Sequence, residues 1–280
     1  MHNFDELKAG LRNFAPISRG GQKAVFSATH PHYGSVVVKL FFKNDLRSKR
    51  ELVISESTSF DCVPKVYESG KVLHESIETL YVIEQRIEGV ELRKRIEHGE
   101  CFNLHEAVGF LEQGLVFIRQ LEQKHIVHRD IKPENIIVST DNKVYFLDFG
   151  IARILGVPSL TKTEAIAGPH TPGYAAPEQF NNLKKDIDSR ADLFSLGVVT
   201  YECLSGKNPF SDGVRNHFEI LQRVETITPV TFQIEGDSQQ MFMGILSSMM
   251  GKFPSRRPKD ASQALDWLNA AKPTFQLGDI

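Results

Sequence analysis

The chain has 280 residues, with 33 Lys or Arg against 35 Asp or Glu, so its formal net charge at pH 7 is -2. This balance excludes the broad electrostatic field by which proteins hold nucleic acid or an anionic membrane, and any phosphate must be bound by a local site. Because 41% of the residues are hydrophobic, the chain can bury a sizeable core, which excludes wholesale disorder. We therefore expect one large globular domain or two smaller lobes, with no nucleic-acid partner.

The cysteines and the apolar stretches indicate the cellular compartment of the protein. The three cysteines, Cys62, Cys101 and Cys203, have neither CxxC spacing nor companion His ligands, which is typical of reduced thiols. No apolar signal-peptide core follows Met1, and the longest apolar stretch, around Leu193–Leu204, is too short to span a bilayer. We expect a cytoplasmic protein without a membrane-spanning segment in this chain.

The first part of the chain is predicted to form strands. Short runs of β-branched and aromatic residues are separated by Gly and Pro, which favours an antiparallel sheet. The runs are Ala24–Thr29, Ser35–Phe42, Lys65–Ser69 and Leu80–Glu84. Charged and apolar residues are interleaved in Leu46–Ser57, and this pattern predicts one helix in the same part.

The rest of the chain is predicted to be mainly helical. Asn103 and Glu106 have the spacing of a capping box, and apolar residues recur behind them every three or four positions, so a long helix should run to His125. The other predicted elements are strands at Ile136–Val138 and Val144–Leu147 and helices at Arg190–Leu204, Ser238–Met250 and Ala261–Ala271. We place the boundary between a sheet lobe (1–85) and a helical lobe (86–280).

Two short motifs indicate the chemistry. His128–Asn135 reads His-Arg-Asp-Ile-Lys-Pro-Glu-Asn, and Asp148–Gly150 reads Asp-Phe-Gly. Oxygen ligands for a divalent cation, a separate carboxylate and a lysine suit phosphoryl transfer, in which metal and lysine neutralise phosphate charge and a carboxylate accepts a hydroxyl proton. Either aspartate alone would be interpreted as a turn residue, but both motifs in this order make that interpretation remote.

These motifs resemble those of the eukaryotic-type (Hanks-type) Ser/Thr protein kinase family, in a bacterial or archaeal form. The resemblance implies an α+β, two-lobed kinase fold with a small antiparallel β-sheet lobe and a larger, mainly helical lobe. It implies ATP and Mg²⁺ as cofactors, with Asn135 and Asp148 holding the metal. Asp130 would orient and deprotonate the substrate hydroxyl, and Lys132 would steady the γ-phosphate.

Members of this family carry a lysine on a strand of the sheet lobe, and the order of the motifs along the chain identifies it here. Val36–Lys39 matches the motif whose lysine binds the α- and β-phosphates, and Lys39 lies among apolar neighbours, where an unpaired ammonium would be costly. The resemblance implies a glutamate partner on the predicted helix. Glu51 is the expected partner, and Glu56 is the alternative.

The segment Ile17–Phe26 resembles the hairpin that covers the nucleotide. Ser18 and Lys23 replace two of its three glycines, and only Gly20 remains of the three, followed by Gly21. Glycine permits a close approach of the backbone to phosphates, so the substitutions are expected to reshape the turn, while Lys23 would add a phosphate contact.

The resemblance also implies an adenine pocket. Val25 and Val37 are expected above the adenine ring and Ile137 beneath it. Ile83 is expected at the gatekeeper position, and the backbone from Glu84 to Arg86 is expected to meet the adenine edge.

The segment from Asp148 to Glu178 resembles an activation segment. In this family an arginine such as Arg129 binds a phosphorylated residue of that segment, and Thr163 and Thr161 are the candidates, in that order. Thr171 is expected to form hydrogen bonds in the catalytic loop, which is typical of Ser/Thr kinases.

Two further positions are expected to be structural. Asp192 resembles the buried aspartate that braces the catalytic loop, and Arg257 resembles the arginine that pairs with Glu178.

The sequence therefore predicts an ATP- and Mg²⁺-dependent Ser/Thr protein kinase, regulated by autophosphorylation, with protein substrates and possible self-association. One alternative is a nucleotide-binding pseudokinase that acts as a scaffold or switch, suggested by Ser18, Lys23 and Ser55. The other is a small-molecule kinase of the same fold, against which the Ala176-Pro-Glu178 segment and Thr171 speak.

Overall fold

The computed structural model describes residues 3–21, 23–42, 60–149, 152–154, 171–180, 187–214 and 216–276. The predicted helix at Leu46–Ser57, with Glu51 and Glu56, and the threonines Thr161 and Thr163 lie outside the described residues. The chain forms two compact units. The first is Met1–Glu88 with Leu147–Gly150, and the second is Gly89–Phe146 with Ile151–Ile280.

The first unit contains a five-stranded antiparallel sheet with the strand order β1-β2-β3-β5-β4. Its elements are helix α1 (Phe4–Ala9) and strands β1 (Arg12–Arg19), β2 (Lys23–His30), β3 (Gly34–Phe41), β4 (Val66–His74) and β5 (Ile77–Gln85). The predicted antiparallel sheet is confirmed, and β4 and β5 are longer than the predicted runs.

The two faces of this sheet differ in composition. Val36 and Val38 in β3 are fully buried and pack in one cluster with Ile83 of β5. Because successive side chains of a strand point to opposite faces, Val37 and Lys39 belong to the other face. The sheet thus separates an apolar core face from a face that bears charge.

Helix α1 was not predicted, although the sequence contains its signal. The Asn3 side chain accepts a hydrogen bond from the first turn while Glu6 bonds back to the Asn3 backbone, which is a capping box. The helix packs Phe4 against Leu40 and Val72 of the sheet. A six-residue helix depends on that burial, because its few backbone bonds cannot stabilise it alone.

The second unit is mainly helical. Its helices are α2 (Leu92–Glu97), α3 (Leu104–Gln123), α4 (Pro177–Phe180), α5 (Ser189–Ser205), α6 (His217–Thr226), α7 (Met241–Met249) and α8 (Ala261–Ala271). Its strands are β6 (Gly89–Glu91), β7 (Ile126–Val127), β8 (Ile136–Ser139), β9 (Val144–Phe146) and β10 (Arg153–Ile154). They form a β6-β8-β9 sheet and a β7-β10 pair. In the described ranges, no helix combines the length and apolar composition needed to cross a bilayer.

Helices α3 and α5 form the centre of this unit. The predicted capping box is confirmed, since Glu106 N donates to Asn103 Oδ1 and Asn103 N donates to Glu106 Oε2. Helix α5 is buried on nearly all sides and ends at Gly206, whose φ of 72° favours glycine. Gly114 lets the two helices approach closely, because a Cβ there would lie 2.6 Å from Leu196 Cδ1.

A buried ion pair fixes α4 in this unit. Arg257 donates two hydrogen bonds to the Glu178 carboxylate, at 2.7 and 2.9 Å, and both side chains are almost completely buried. The guanidinium also donates to the carbonyl oxygens of Gly251 and Arg190, so its donors are distributed over three segments. The predicted pairing of Arg257 with Glu178 is confirmed.

A second cation near this pair predicts a pH dependence of stability. Burial, with a further contribution from the positive charge of Arg257, lowers the pKa of Lys252 to about 8, although its Nζ lies 4.3 Å from the centre of the Phe210 ring. Between pH 8 and 10.5 the unfolded chain binds a proton here that the folded chain does not. The free energy of unfolding contributed by Lys252 should therefore rise with pH across this window.

Urea unfolding of the wild type and of Lys252→Met at several pH values tests this prediction. We expect Lys252→Met to be the more stable protein at pH 7 and to lose the rise above pH 8. Lys259→Met is the matched control, because the Lys259 side chain is 73% exposed. If the free energies of unfolding of the wild type and Lys252→Met change with pH in the same way, the lowered pKa of Lys252 is contradicted.

Candidate active site

The loop between β7 and β8 is held by a buried carboxylate. Asp192 of α5 has no exposed surface, and its two oxygens accept hydrogen bonds from His128 N at 2.8 Å and Arg129 N at 2.7 Å. Burial raises the pKa of Asp192 to about 7, while the two backbone donors act in the opposite direction. The predicted bracing of this loop by Asp192 is confirmed.

The same loop brings Asp130, Lys132 and Thr171 together. Lys132 Nζ lies 2.9 Å from Asp130 Oδ2 and donates to Thr171 Oγ1, also at 2.9 Å. Thr171 Oγ1 donates to Asp130 Oδ1 at 2.7 Å, so the hydroxyl accepts one bond and donates another. The Asp130 and Lys132 side chains are only 15% and 20% exposed, and the cluster is therefore shielded but open to a small group.

Asn135, the next predicted site residue, is orientated by the same carboxylate. Its Nδ2 donates to Asp130 Oδ2 at 2.9 Å and to the Asp130 carbonyl oxygen at 3.0 Å. Because the amide nitrogen is directed towards Asp130, the amide oxygen is the atom left for another ligand. An amide oxygen is a suitable donor for a hard cation such as Mg²⁺, so this residue fits the implied metal.

In the first unit, Lys39 pairs with a residue that was expected to act through its backbone. Lys39 Nζ lies 2.9 Å from Glu84 Oε1, and these side chains are only 12% and 9% exposed. Val37 is paired with Glu84 in the ladder, and Val25 with Lys39, so these four residues share one face of the sheet.

Ile83 does not share that face. It is fully buried in the cluster with Val36 and Val38, because neighbouring residues of a strand point to opposite sides. The side chain that lies beside Lys39 is that of Glu84, one residue later. Ile83 was expected at the gatekeeper position; its side chain lies on the core face of the sheet, whereas the Glu84 side chain lies on the face of Lys39.

A second ion pair in the first unit involves Asp148. Lys23 Nζ, at the start of β2, lies 2.7 Å from Asp148 Oδ2, with the side chains 24% and 28% exposed. The next residue, Phe149, is buried and stacks on Phe60 at a centroid distance of 6.4 Å. A carboxylate that already holds a cation has the donor atoms that Mg²⁺ requires, so Asp148 also fits the implied metal.

The turn between β1 and β2 is open on its outer side. Gly20 N donates to the Lys23 carbonyl oxygen at 2.9 Å, and Ser18 lies in β1 next to an irregularity in the ladder. A Cβ at Gly20 would meet nothing closer than 4.0 Å, and one at Gly21 would meet nothing within 4 Å. Because neither glycine has a positive φ, neither backbone strain nor packing in the described ranges requires glycine here.

Three further predicted site residues, Arg86, Ile137 and Arg129, are described within their own units. Arg86 is exposed just after β5, and Ile137 is half-buried in β8 of the second unit. Arg129 has a φ of 70°, and its carbonyl oxygen accepts a hydrogen bond from Gln179 Nε2 at 3.0 Å. Its expected partners Thr161 and Thr163 lie outside the described residues.

Sequence reasoning missed one polar network in the second unit. Arg93 of α2 pairs with Glu134 of the catalytic loop at 2.8 Å and with Glu202 of α5 at 2.9 Å. The Tyr174 hydroxyl donates to Glu202 at 2.6 Å and is also bonded to Arg93. No motif marks Arg93, because its partners follow it by 41 and 109 positions.

The hydrogen-bonded catalytic loop, the paired strand lysine and the two-unit fold define the class as a kinase domain. Residues 12–268 match the family described as the protein kinase domain, and the chain belongs to this family. The fold and the family resemblance expected from the sequence are confirmed.

Several named relatives are similar to this chain. A probable serine/threonine-protein kinase, PknB of Corynebacterium glutamicum, is 32% identical over 70% of this chain and 31% of its own length. The serine/threonine-protein kinase pkn2 of Myxococcus xanthus is 29% identical over 95% of this chain and 33% of its own length. The calcium/calmodulin-dependent protein kinase cmkA of Emericella nidulans is 34% identical over 72% of this chain and 49% of its own length. The chain thus spans between 31% and 49% of the length of these relatives.

The bracing role of Asp192 predicts the effect of one substitution. Asp192→Asn places an amide NH₂ where one carboxylate oxygen accepts a backbone N–H, so a buried donor loses its partner. We expect a loss of about 2 kcal/mol in the free energy of unfolding, measured by urea denaturation. Asp188→Asn is the matched control, because Asp188 caps the same helix and asparagine caps about as well. Equal losses in both variants would contradict the role of Asp192.

Proposed function

We propose that this chain is an ATP- and Mg²⁺-dependent protein kinase that phosphorylates Ser or Thr hydroxyls. The observation that supports it most directly is the hydrogen-bonded set of Asp130, Lys132 and Thr171. A fixed carboxylate beside a fixed ammonium is the arrangement that phosphoryl transfer to a hydroxyl requires.

In the second unit, Asp130 acts as the base. Thr171 and Asn135 each donate to a different oxygen of its carboxylate, so the plane of the carboxylate is fixed. A substrate hydroxyl that donates to Asp130 is orientated for attack and gives its proton to this carboxylate. Lys132 places a positive charge next to the same atoms and stabilises negative charge that develops on the transferred group.

In the first unit, Lys39 binds the α- and β-phosphates and Glu84 orientates Lys39. A buried ammonium on a central strand needs a counter-charge, and the Glu84 carboxylate supplies one at 2.9 Å. The open turn at Gly20 and Gly21 leaves room for phosphates to approach the backbone. Val25 and Val37 are apolar residues on this face and are the proposed contacts of the adenine.

Asn135 and Asp148 are the proposed metal ligands. When bound, Mg²⁺ neutralises the charge of the phosphates and lowers the barrier for their transfer. The amide of Asn135 is orientated by Asp130, and the carboxylate of Asp148 supplies oxygen ligands.

A protein rather than a small alcohol is the proposed substrate. The segment Ala176-Pro-Glu178 is anchored by the buried pair of Glu178 with Arg257, and Thr171 joins the start of this segment to the base. Such a fixed segment beside the base gives an extended peptide a surface on which to dock. Because ATP is the phosphate donor, we place this activity in the cytoplasm.

Autophosphorylation is the proposed mode of regulation. A phosphate on Thr163 or Thr161 would bind the Arg129 guanidinium through charge-assisted hydrogen bonds. Transfer between two copies of the chain would require transient self-association.

Intact-mass spectrometry after incubation with ATP and Mg²⁺ tests this function. We expect added phosphate on the wild type at Thr161 or Thr163, and a rate about 10²- to 10⁴-fold lower in Asp130→Asn. Lys39→Ala should also abolish the gain in mass, while a nucleotide analogue should still bind Asp130→Asn. Tight ATP binding without any phosphate transfer to the chain or to proteins would favour a switch without catalysis. Transfer to small alcohols alone would favour a small-molecule kinase.

The partner of Lys39 can be identified by comparing three neutral isosteres. Since Glu84 is a carboxylate in contact with Lys39 in the described part of the chain, Glu84→Gln should lower kcat/KM for ATP by about tenfold, as expected for a lost buried counter-charge. Glu51→Gln and Glu56→Gln are the comparison variants. A loss in Glu51→Gln or Glu56→Gln without one in Glu84→Gln would assign the role to the helix glutamate instead.

A further inference from the structure

Lys23 occupies an unusual position for a residue of the nucleotide-covering hairpin. It is the first residue of β2 and lies opposite Phe41 in the ladder, with its Nζ 5.8 Å from the centre of the Phe41 ring. Its ammonium reaches the Asp148 carboxylate, at 2.7 Å, across 125 positions of sequence. The side chain is therefore held at both ends, by the strand and by the carboxylate.

The backbone at Asp148 is constrained independently of Lys23. Its φ is 67°, in the left-handed region that aspartate adopts less readily than glycine, and Phe149 after it is anchored by stacking on Phe60. The backbone that carries the carboxylate is thus held beside the ammonium. Its Oδ2 is the atom engaged at 2.7 Å, a distance typical of a strong charge-assisted hydrogen bond.

We propose that Lys23 is a built-in competitor for the metal at Asp148 and sets the metal concentration that the protein requires. This inference rests on the proposed role of Asp148 as a metal ligand. Mg²⁺ binds carboxylate oxygens at about 2.1 Å, so a cation on Asp148 and the Lys23 ammonium are drawn to the same group and repel each other. Binding of the metal displaces the ammonium from Asp148.

The displaced ammonium has a second use on the same face of the sheet. Lys23 lies opposite Phe41, two positions from Lys39 in β3, so the two lysines project from one face as diagonal neighbours. Phosphates bound by Lys39 are therefore within the region that Lys23 can reach after it leaves Asp148. Lys23 would restrain Asp148 before the metal binds and contact phosphate afterwards.

Titration with Mn²⁺, followed by the electron paramagnetic resonance signal of the free ion, tests this proposal without measuring activity. Mn²⁺ replaces Mg²⁺ at oxygen sites and gives this direct signal. Without nucleotide, so that Lys23 has no phosphate to contact, we expect Lys23→Met to bind Mn²⁺ roughly fivefold more tightly than the wild type, as the loss of one partly exposed ion pair suggests. Lys23→Arg, which keeps the charge, should bind like the wild type.

Lys71→Met is the matched control. It removes an ion pair of similar length in the same sheet, between Lys71 and Glu78, and should leave the Mn²⁺ affinity unchanged. Lys23→Gly, which restores glycine at this position, replaces Lys23→Met if the latter does not fold. An affinity in Lys23→Met, or in Lys23→Gly where it replaces Lys23→Met, that is equal to or weaker than that of the wild type, including no binding, overturns the proposal.

Asp148→Asn separates this inference from the proposed function. If Asp148→Asn weakens Mn²⁺ binding while Lys23→Met has no effect, only the role of Lys23 is wrong. If Asp148→Asn binds Mn²⁺ as tightly as the wild type, Asp148 is not the metal ligand and the metal assignment in the proposed function is wrong. We expect Asp148→Asn to weaken binding and to abolish the difference between Lys23→Met and the wild type.

Discussion

The carboxylate of Asp192, which has no contact with solvent, is the constraint on which the catalytic loop depends. Its oxygens take the backbone N–H groups of His128 and Arg129, and Arg129 has a φ of 70°, a conformation that costs free energy for any residue except glycine. The two charge-assisted bonds offset that cost. Helix α5 and the core around it therefore fix the backbone before Asp130, and this determines where the Asp130 side chain points. A reactive carboxylate near the surface is positioned by an unreactive one in the interior.

Those parts of the structure that depend on local patterns could be predicted from the sequence. The long helix α3 has a capping box at Asn103 and an apolar stripe behind it, and both signals act within a few residues of one another. Helix α5 ends at Gly206 because the backbone there has a left-handed conformation, which only glycine adopts without strain. The bracing by Asp192 and the pairing of Arg257 came from the family resemblance instead, because no periodicity connects residues so far apart.

The register between strands and the position of the short helix α1 could not be predicted in the same way. The choice between Ile83 and Glu84 depends on which residues of β5 lie opposite β3, and a shift of one position exchanges the two faces of the strand. Helix α1 has the same capping signal as α3, but at six residues it is too short for a visible stripe and depends on the burial of Phe4. Arg93 had no signal at all, because a lone arginine in the first turn of a short helix is usually a solvated charge.

The face of the sheet that carries Lys39 shows how two departures from the family pattern, Lys23 and Glu84, are related. In the sequence, Lys23 is a substitution at a glycine position that would add a phosphate contact, and Glu84 is expected to act only through its backbone. In the structure, Lys23 pairs with Asp148 and Lys39 pairs with Glu84, so two lysines and two carboxylates form a set with no net charge. Such a set is stable without a ligand, since each partly buried charge has a counter-charge. Adding an anionic nucleotide and a cation would let phosphate take the lysines while the cation takes Asp148. In that exchange Asp148 gains the cation as Lys23 leaves it for phosphate, so the lysine of the nucleotide-covering hairpin and the lysine of the strand belong to the same electrostatic balance.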